Sequence, residues 1–500
     1  KVDADGIFER IIKLPSGVGM FRPVYCDGET LWYGGRSLST MNLSTGEKTD
    51  LGAYQMTVTG SKALITEGRK LYVTDIPKGK PHLEKPVDCS NLVADVDYSK
   101  EWAQIFDEAW RAFRDGYYLK NMHGIDWPAM KKKYEVLIPY VKNRLDLNYV
   151  IGEMIGELTS GHAYVSPGTY PQPERINLGL LGATITRDKS GYFRIGHIYK
   201  GANYSASLRS PLAEQGLGVK EGDFILAVDG VSAKTTNNIY SLLVGKADVL
   251  TELTVNDKAS ENGARKIVVR PTSNEYPLVH YEWVVKNIEY VDKASNGKIG
   301  YIYIPDMGVD GLNEFARYYY PQLDKEALII DDRENGGGNV SPMIIERLLR
   351  EPYRMTMRRG SDRTEMVPEG TFYGPKVCLI NKYSASDGDL FPWSFKATGL
   401  GELIGTRTWG GIVGISGSLP YMDGTDIRVP FFTNYDSKTG EWIIENHGVD
   451  PDIEIDNDPL KEQSGVDQQL DKAIEVLLEK LKDRKPLPGV PAPRDFSWKE

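Results

Sequence analysis

The residues best suited to do chemistry lie in the stretch Lys376–Gly388, which reads KVCLINKYSASDG. An apolar run of strand length, Val377–Ile380, leads into a polar turn that reaches Ser386. A helix is predicted directly afterwards, over Asp389–Gly399. A serine at such a strand-to-helix turn lies beside backbone N–H groups that can hold a developing oxyanion. The same pattern is typical of a serine that only caps a helix, so this turn alone leaves both interpretations open.

A glycine-rich turn and a histidine supply the other groups that nucleophilic catalysis needs. The apolar strand Ala327–Ile330 runs on into three glycines, Gly336, Gly337 and Gly338. They remove side chains where a backbone could approach a substrate, although three glycines can also simply make a sharp bend. A serine nucleophile needs a base, and histidine is the usual one. His162, in the motif TSGHAY, follows the end of a predicted helix.

The chain has only six histidines, so the candidates for the base can be ranked. His447, in ENHGVD, is the one serious alternative to His162. The other four lie in contexts without a chemical pattern: His82, His123, His197 and His280. A lone histidine is more often a hydrogen-bonded structural residue than a base, so position alone does not assign the role.

Five motifs within residues 96–482 resemble one family and follow its order. They are TSGHAY, DDRENGGG, NKYSASDGD, GTRTWGG and EWIIENHGVDPDIEID, and the family is the tricorn branch of the C-terminal-processing serine peptidases. The resemblance implies a peptidase without metal or cofactor, with Ser386 as nucleophile, His162 as base and Glu445 as the residue that orients the base. It also implies that oxyanion and substrate contacts come from four residues: Gly336, Gly337, Gly338 and Asp387.

The chain departs from the family pattern at two positions close to the base. Relatives that use a serine–lysine pair carry the lysine at the position of Gly411, so a lysine base is absent and histidine remains. In the tricorn branch a serine immediately precedes the histidine, whereas here Gly161 stands there and Ser160 is one residue further back. We therefore expect Glu445 to reach His162 directly or through a water, and Ser160 to contribute little.

Composition argues against several classes of function. A net charge of −10 and a pI near 5.4, without a basic run, argue against a nucleic-acid partner. No stretch approaches the ~18 consecutive apolar residues of a membrane-spanning helix, so no membrane insertion is predicted. Three widely spaced cysteines, with no CxxC and no HExxH motif, predict neither a disulfide framework nor a zinc site.

The sequence begins KVDADG, without a methionine or a signal sequence, which predicts a processed chain or a fragment. The compartment is therefore not determined by the sequence. The family resemblance implies the cytoplasm, and the periplasm remains the alternative.

Five hundred residues predict about three or four domains. Residues 1–95 are predicted to form β-hairpins, because short apolar runs alternate with turns such as Ser44–Glu47 and Glu67–Gly68. This spacing is typical of β-propeller blades, and in the tricorn branch propellers precede the catalytic half. The end of a propeller, a small β-domain and a β-sandwich therefore remain open.

Residues 96–177 are predicted to form a helical domain that carries His162, with its second helix capped by Asp146. Residues 178–275 resemble a PDZ domain, in which the strand Ala183–Thr186 would pair with a peptide and Pro211–Leu217 would be a short helix. Such a domain can position substrate or serve as a spacer, and the sequence leaves both roles open.

Residues 276–482 alternate strands and helices, which predicts an α/β catalytic core. The resemblance implies a ββα superhelix of crotonase-like type. Residues 483–500 form a C-terminal arm that is rich in proline from Lys485 to Pro493. We expect this arm to wrap a neighbouring subunit rather than to stay disordered.

The fold class predicted is thus multidomain α/β plus β, and the function predicted is a serine endopeptidase acting on oligopeptides. The resemblance implies a homo-oligomer. A catalytically silent binding protein and a scaffold are the alternatives, and the presence of both Ser386 and His162 favours the enzyme. The segment that supplies an acid for basic substrates in the tricorn branch is here Pro352–Gly360, which has no acid. We therefore expect no strong preference for Lys or Arg before the scissile bond.

Overall fold

The computed structural model describes residues 4–8, 11, 21–35, 37–93, 95–168, 170, 172–202, 204–360, 364–418, 420–492, 494, 495 and 497. They form two compact units, Lys1–Asp97 and Tyr98–Glu500. Each unit has hydrophobic clusters of its own.

The first unit is built from two antiparallel sheets. Its strands are β1 (Arg22–Cys26), β2 (Thr30–Gly34), β3 (Leu38–Asn42), β4 (Lys48–Gly52), β5 (Gln55–Thr59), β6 (Lys62–Glu67) and β7 (Lys70–Asp75). One sheet has the order β1-β2-β3-β4 and the other β5-β6-β7. Trp32, Leu38 and Ile65 are fully buried, and along β6 the buried Ala63 and Ile65 alternate with more exposed residues, as a half-buried strand requires. Short strands separated by turns are thus present, while membership of a β-propeller stays a prediction.

The second unit opens with three helices and a short strand: α1 (Tyr98–Gly116), α2 (Trp127–Glu135), α3 (Arg144–Gly156) and β8 (Tyr164–Val165). Apolar residues of α1 and α3 share one core. The predicted cap at Asp146 is wrong, because α3 begins earlier, after Asn143. The Asn143 side chain accepts hydrogen bonds from the N–H groups of Leu145 and Asp146 at 2.9 and 3.0 Å. An irregular loop follows α3 and carries His162.

A PDZ-like sheet comes next, with β9 (Ala183–Arg187), β10 (Phe193–Ile198), β11 (Phe224–Val228), β12 (Val231–Ser232), β13 (Thr251–Asn256) and β14 (Arg265–Val269). Its order is β14-β13-β11-β10-β9, so the predicted peptide-pairing strand β9 lies at an edge. The predicted helix over Pro211–Leu217 is wrong, because this segment folds as turns. Gly216 there has a φ of +90°, which interrupts a right-handed helix.

The loop before β9 would bind a peptide end in a PDZ domain, but three of its N–H groups are engaged within the chain. Gly179 donates to Leu243 O at 2.9 Å and Leu180 to Thr272 O at 2.7 Å. Gly182 donates to the carboxylate of Glu275 at 3.2 Å. The first two contacts lie within the domain, and the third joins it to Glu275 at the start of the helix that follows. Together they favour the spacer role.

The remaining helices and strands form the α/β core. The helices are α4 (Tyr276–Ala294), α5 (Val309–Tyr319), α6 (Ser341–Leu348), α7 (Asp387–Ala397), α8 (Pro459–Gln463) and α9 (Gln468–Lys482). The strands are β15 (Ile299–Tyr303), β16 (Ala327–Asp331), β17 (Arg354–Met357), β18 (Thr364–Val367), β19 (Lys376–Ile380), β20 (Gly401–Gly405), β21 (Gly414–Gly417), β22 (Ile427–Phe432) and β23 (Ile453–Glu454).

The central sheet, in the order β15-β16-β19-β20-β23, is parallel throughout. Its strands are apolar on both faces because helices cover both sides. One face packs against α5, α6 and α7, and the other against α4 and α9. Since parallel strands end at one edge, the turns after β16 and β19 meet there, and these turns carry the glycines and the serine.

Two smaller sheets complete this unit. β22 pairs with β21 on one side and with β8 on the other, which ties the His162 loop to the core, and β17 pairs with β18. The described part of the C-terminal arm, residues 483–492, 494, 495 and 497, contains no helix or strand. Its contact with a neighbouring subunit stays a prediction, and Pro493 lies outside the described residues.

Candidate active site

Ser386 is the N-cap residue of α7 and has a φ of +61°. A non-glycine residue in this region is strained, and such strain is concentrated at functional turns. The backbone N–H of Ser386 donates to the Asp389 carboxylate at 2.8 Å, which closes a capping box and holds the turn. The predicted strand, turn and helix are all present, although α7 begins two residues earlier than expected.

Gly337 is the glycine that touches the serine turn. A Cβ atom at this position would lie 2.6 Å from Ser386 Cβ and 2.7 Å from the carbonyl oxygen of Ala385. Real side chains do not tolerate such distances, and the φ of Gly337 is +86°. The glycine turn therefore serves the close approach expected of it and is more than a bend.

The four predicted oxyanion and substrate contacts separate into two groups. The N–H of Gly336 donates to Pro305 O at 3.2 Å, and that of Gly337 to Asn335 Oδ1 at 2.9 Å. The N–H groups of Gly338 and Asp387 have no acceptor among the residues that the structure describes. Of the four, these two are therefore the donors available to a ligand.

Asp389 is a buried residue that the sequence analysis missed, although its place three residues after a serine marks a capping box. Its carboxylate also accepts hydrogen bonds from Gly410 N at 2.7 Å and Gly411 N at 3.3 Å. Burial raises the pKa of Asp389, while these N–H groups lower it. The residue thus joins the serine turn to the segment 408–411.

His162 reaches the same segment from the other side. Its ring packs edge-on against Trp409, with 5.2 Å between the ring centroids. Its Nδ1 lies 2.7 Å from the hydroxyl of Tyr164, a contact that the sequence analysis did not foresee. Burial lowers the pKa of His162, and the charge of Glu445 raises it in part.

Glu445 lies close to the histidine without a hydrogen bond to it. One carboxylate oxygen, Oε2, accepts from the N–H groups of Ile412 and Val413 at 2.7 and 3.1 Å. The other, Oε1, is buried and has no hydrogen-bond partner among the described residues. The residue stands in a turn and not at a strand end, because only a single β-bridge forms nearby, at Trp442. The following Asn446 donates to Thr159 O at 2.7 Å and so anchors this turn to the His162 loop.

Ser160 makes its side-chain hydrogen bond to a tyrosine and not to Glu445. Its hydroxyl lies 2.6 Å from that of Tyr117, which also contacts His123. The rival base His447 pairs with Asp450 at 2.8 Å on the surface. The structure therefore places Ser386, Gly337, Gly338 and Asp387 where the glycine turn meets the serine turn, and it places His162 and Glu445 against the segment 409–413. Among the described residues, no hydrogen bond joins Ser386 to His162 or Ser160 to Glu445.

The described residues offer neither a metal site nor a membrane-spanning helix. No group of three or more His, Cys, Asp or Glu side chains among them is arranged to hold a metal ion. None of the helices in the described ranges is both long and apolar enough to cross a membrane.

A parallel α/β core that presents a serine on a strained turn, next to backbone N–H groups without acceptors, is the arrangement of a serine hydrolase. Comparison with known proteins narrows the class. Residues 298–455 match the model of peptidase family S41, residues 179–274 the tricorn protease PDZ domain and residues 98–156 the tricorn protease C1 domain. The chain therefore contains a domain similar to family S41 peptidases, together with domains similar to the PDZ and C1 domains of the tricorn protease.

Individual relatives agree with this assignment. Tricorn protease homolog 1 of Streptomyces coelicolor is 37% identical over 398 residues, which cover 79% of this chain and 37% of the relative. A putative tricorn-like protease C-terminal subunit of Sulfurisphaera tokodaii is 36% identical over 442 residues, or 86% of this chain and 50% of the relative. The crystal structure of the tricorn protease matches with a TM-score of 0.84 at 30% identity, covering 92% of this chain and 46% of that one.

The chain thus spans half or less of the length of these relatives. The family resemblance and the multidomain α/β class with a PDZ domain, both predicted from the sequence, are confirmed. The propeller and the oligomer stay predictions.

Proposed function

We propose that the chain hydrolyses peptide bonds of oligopeptides through Ser386. The observation that carries this proposal is the contact of Gly337 with the Ser386 turn, beside the N–H groups of Gly338 and Asp387. A carbonyl oxygen placed between these two donors would bring its carbon to Ser386 Oγ. Each such donor contributes roughly 10²–10³ in rate, because it binds the charge that develops in the transition state.

The reaction proceeds in two halves. Ser386 Oγ bonds to the carbonyl carbon while His162 takes its proton, and the negative charge moves to the carbonyl oxygen. The C–N bond then breaks, and His162 returns the proton to the leaving amine. Water attacks the acyl-enzyme in the same way, releases the new carboxylate and restores Ser386. Glu445 supports the imidazolium that forms in each half.

The experiment is Ser386→Ala, with cleavage of a fluorogenic oligopeptide and labelling by a fluorophosphonate as readouts. Both should be lost while the thermal unfolding curve is unchanged, because the side chain is small and partly exposed. Ser394→Ala, on the same helix, is the matched control and should retain both. If the Ser386→Ala chain still cleaves the peptide, the proposal is wrong. It is also wrong if the parent chain is not labelled by the fluorophosphonate, as expected of a catalytically silent binding protein.

The resemblance supports two broader proposals. We propose that the substrates are oligopeptides and not folded proteins, and that copies of the chain assemble into a homo-oligomer. Light scattering of the purified chain tests the assembly, and cleavage of a folded protein at the same rate as its peptides would contradict the substrate class.

A further inference from the structure

The base meets an unusual partner. In a serine hydrolase the Nδ1 of the histidine usually contacts a carboxylate, which fixes the tautomer and stabilises the imidazolium. Here the group 2.7 Å from Nδ1 of His162 is the hydroxyl of Tyr164. Glu445, the carboxylate that acts on His162 electrostatically, makes no hydrogen bond to it among the described residues.

Tyr164 is held by the fold rather than by the histidine alone. It belongs to β8, where it pairs with Arg428 of β22. Its ring also lies 5.7 Å from that of His162, centroid to centroid. Burial raises the pKa of Tyr164, so the phenol is neutral across the physiological range. A short paired strand thus presents a neutral hydroxyl to the base.

The tautomer follows from the chemistry of the two partners. If the N–H is on Nδ1 and donates to Tyr164, Nε2 keeps the lone pair that a base needs. If Tyr164 donates instead, Nε2 carries the proton and His162 cannot accept one from Ser386. Only the first arrangement also suits the imidazolium, in which both nitrogens donate.

Glu445 supplies what a neutral phenol lacks. Its Oε2 is fixed by the N–H groups of Ile412 and Val413, and its Oε1 is buried without a partner. The described groups found to act on the His162 ring are Tyr164, the uncharged indole of Trp409 and this carboxylate. Of these, only Glu445 has a carboxylate, so it is the source of the field that favours the imidazolium.

We propose that the two tasks a single carboxylate usually performs are divided here, with Tyr164 positioning His162 through Nδ1 and Glu445 supplying charge without contact. This inference rests on the proposed function for its kinetic consequence. Its structural consequence, the tautomer of His162, is independent of catalysis.

The test compares Tyr164→Phe and Glu445→Gln. Loss of one neutral hydrogen bond corresponds to about a tenfold change, so Tyr164→Phe should lower kcat about tenfold with KM unchanged. The acidic limb of its kcat/KM profile should stay in place. Glu445→Gln should instead move that limb to lower pH, because removing the negative charge lowers the pKa of His162 further. Tyr383→Phe is the control, because Tyr383 is an exposed tyrosine in the turn that precedes Ser386. Its kcat and pH profile should match those of the parent chain.

A spectroscopic readout separates this inference from the proposed function. In ¹⁵N NMR of the Ser386→Ala chain, neutral His162 should carry its proton on Nδ1, and adding Tyr164→Phe should produce a mixture of tautomers. If the tautomer is unchanged, or if Tyr164→Phe moves the pH limb as far as Glu445→Gln does, the division of tasks is wrong. A correct tautomer shift in a chain that proves unable to cleave peptides would sink the proposed function and leave the positioning role standing.

Discussion

Replacing Gly337 with alanine should remove most of the activity while leaving the protein folded. The added Cβ atom would lie 2.6 Å from Ser386 Cβ, which is about 0.8 Å inside the 3.4 Å at which ordinary contact begins. The same atom would lie 3.1 Å from Asp387 N, one of the two N–H groups left for an oxyanion. The substitution therefore displaces the nucleophile and the donor together.

The expected magnitudes have two sources. A misplacement of about 1 Å at a reacting group costs about 10²-fold, and a lost oxyanion donor costs about 10²–10³-fold, so kcat should fall by about 10²–10³. The backbone adds a cost in stability, because Gly337 has a φ of +86°. An alanine in this left-handed region costs about 1–2 kcal/mol of the free energy of unfolding.

Two other glycines separate these effects. Gly336 is the sequence neighbour, and a Cβ there meets nothing within 4 Å. Gly399, beyond the end of α7, has a φ of +73° and also has open space around it. Gly336→Ala should therefore be near neutral, and Gly399→Ala should lose stability but keep kcat. Only Gly337→Ala should lose both.

The assay is kcat on a fluorogenic oligopeptide together with urea unfolding and the rate of fluorophosphonate labelling. Labelling reports on the nucleophile without a full turnover. If Gly337→Ala keeps the kcat of Gly336→Ala, the glycine turn does not contact the reacting serine, and the geometry proposed for the oxyanion donors is wrong.

Further predictions concern the groups around this turn. Asp389→Asn should lower both kcat and the melting temperature, because the amide N–H₂ would face N–H groups from which the carboxylate now accepts hydrogen bonds. Each buried group left unsatisfied costs about 1–3 kcal/mol. Unchanged kinetics would show that activity does not depend on the link to the segment 408–411. Ser160→Ala should change kcat less than about threefold, which is less than the full effect of losing one neutral hydrogen bond, because the Ser160 hydroxyl contacts Tyr117. A loss of kcat as large as that of Glu445→Gln would instead show that Ser160 links Glu445 to His162. A peptide library should show no strong preference for Lys or Arg before the cleaved bond, because Pro352–Gly360 contains no acid, and cleavage mainly after those residues would contradict this.

The sequence by itself predicted those strands, turns and helices whose formation depends on residues close together in the chain. An apolar run, a polar turn and a helical period predicted the elements on both sides of Ser386, because each depends on contacts only a few residues apart. The three consecutive glycines, Gly336 to Gly338, predicted a turn that another segment of backbone could approach closely. The two wrong predictions also had local causes. Asn143 caps α3 in place of Asp146, and the positive φ of Gly216 interrupts the helix predicted over Pro211–Leu217.

The tertiary structure alone decided which groups of the site remain free and which meet. The N–H of Gly336 donates to Pro305 O, which only the packed core brings into reach, whereas that of Gly337 donates to the nearby side chain of Asn335. Tyr164 stands two residues from His162 in the sequence, but its hydroxyl reaches Nδ1 because β8 pairs with β22, more than 260 residues away. Each N–H or hydroxyl donates one hydrogen bond. Which acceptor it finds therefore depends on all the strands and loops that pack around it.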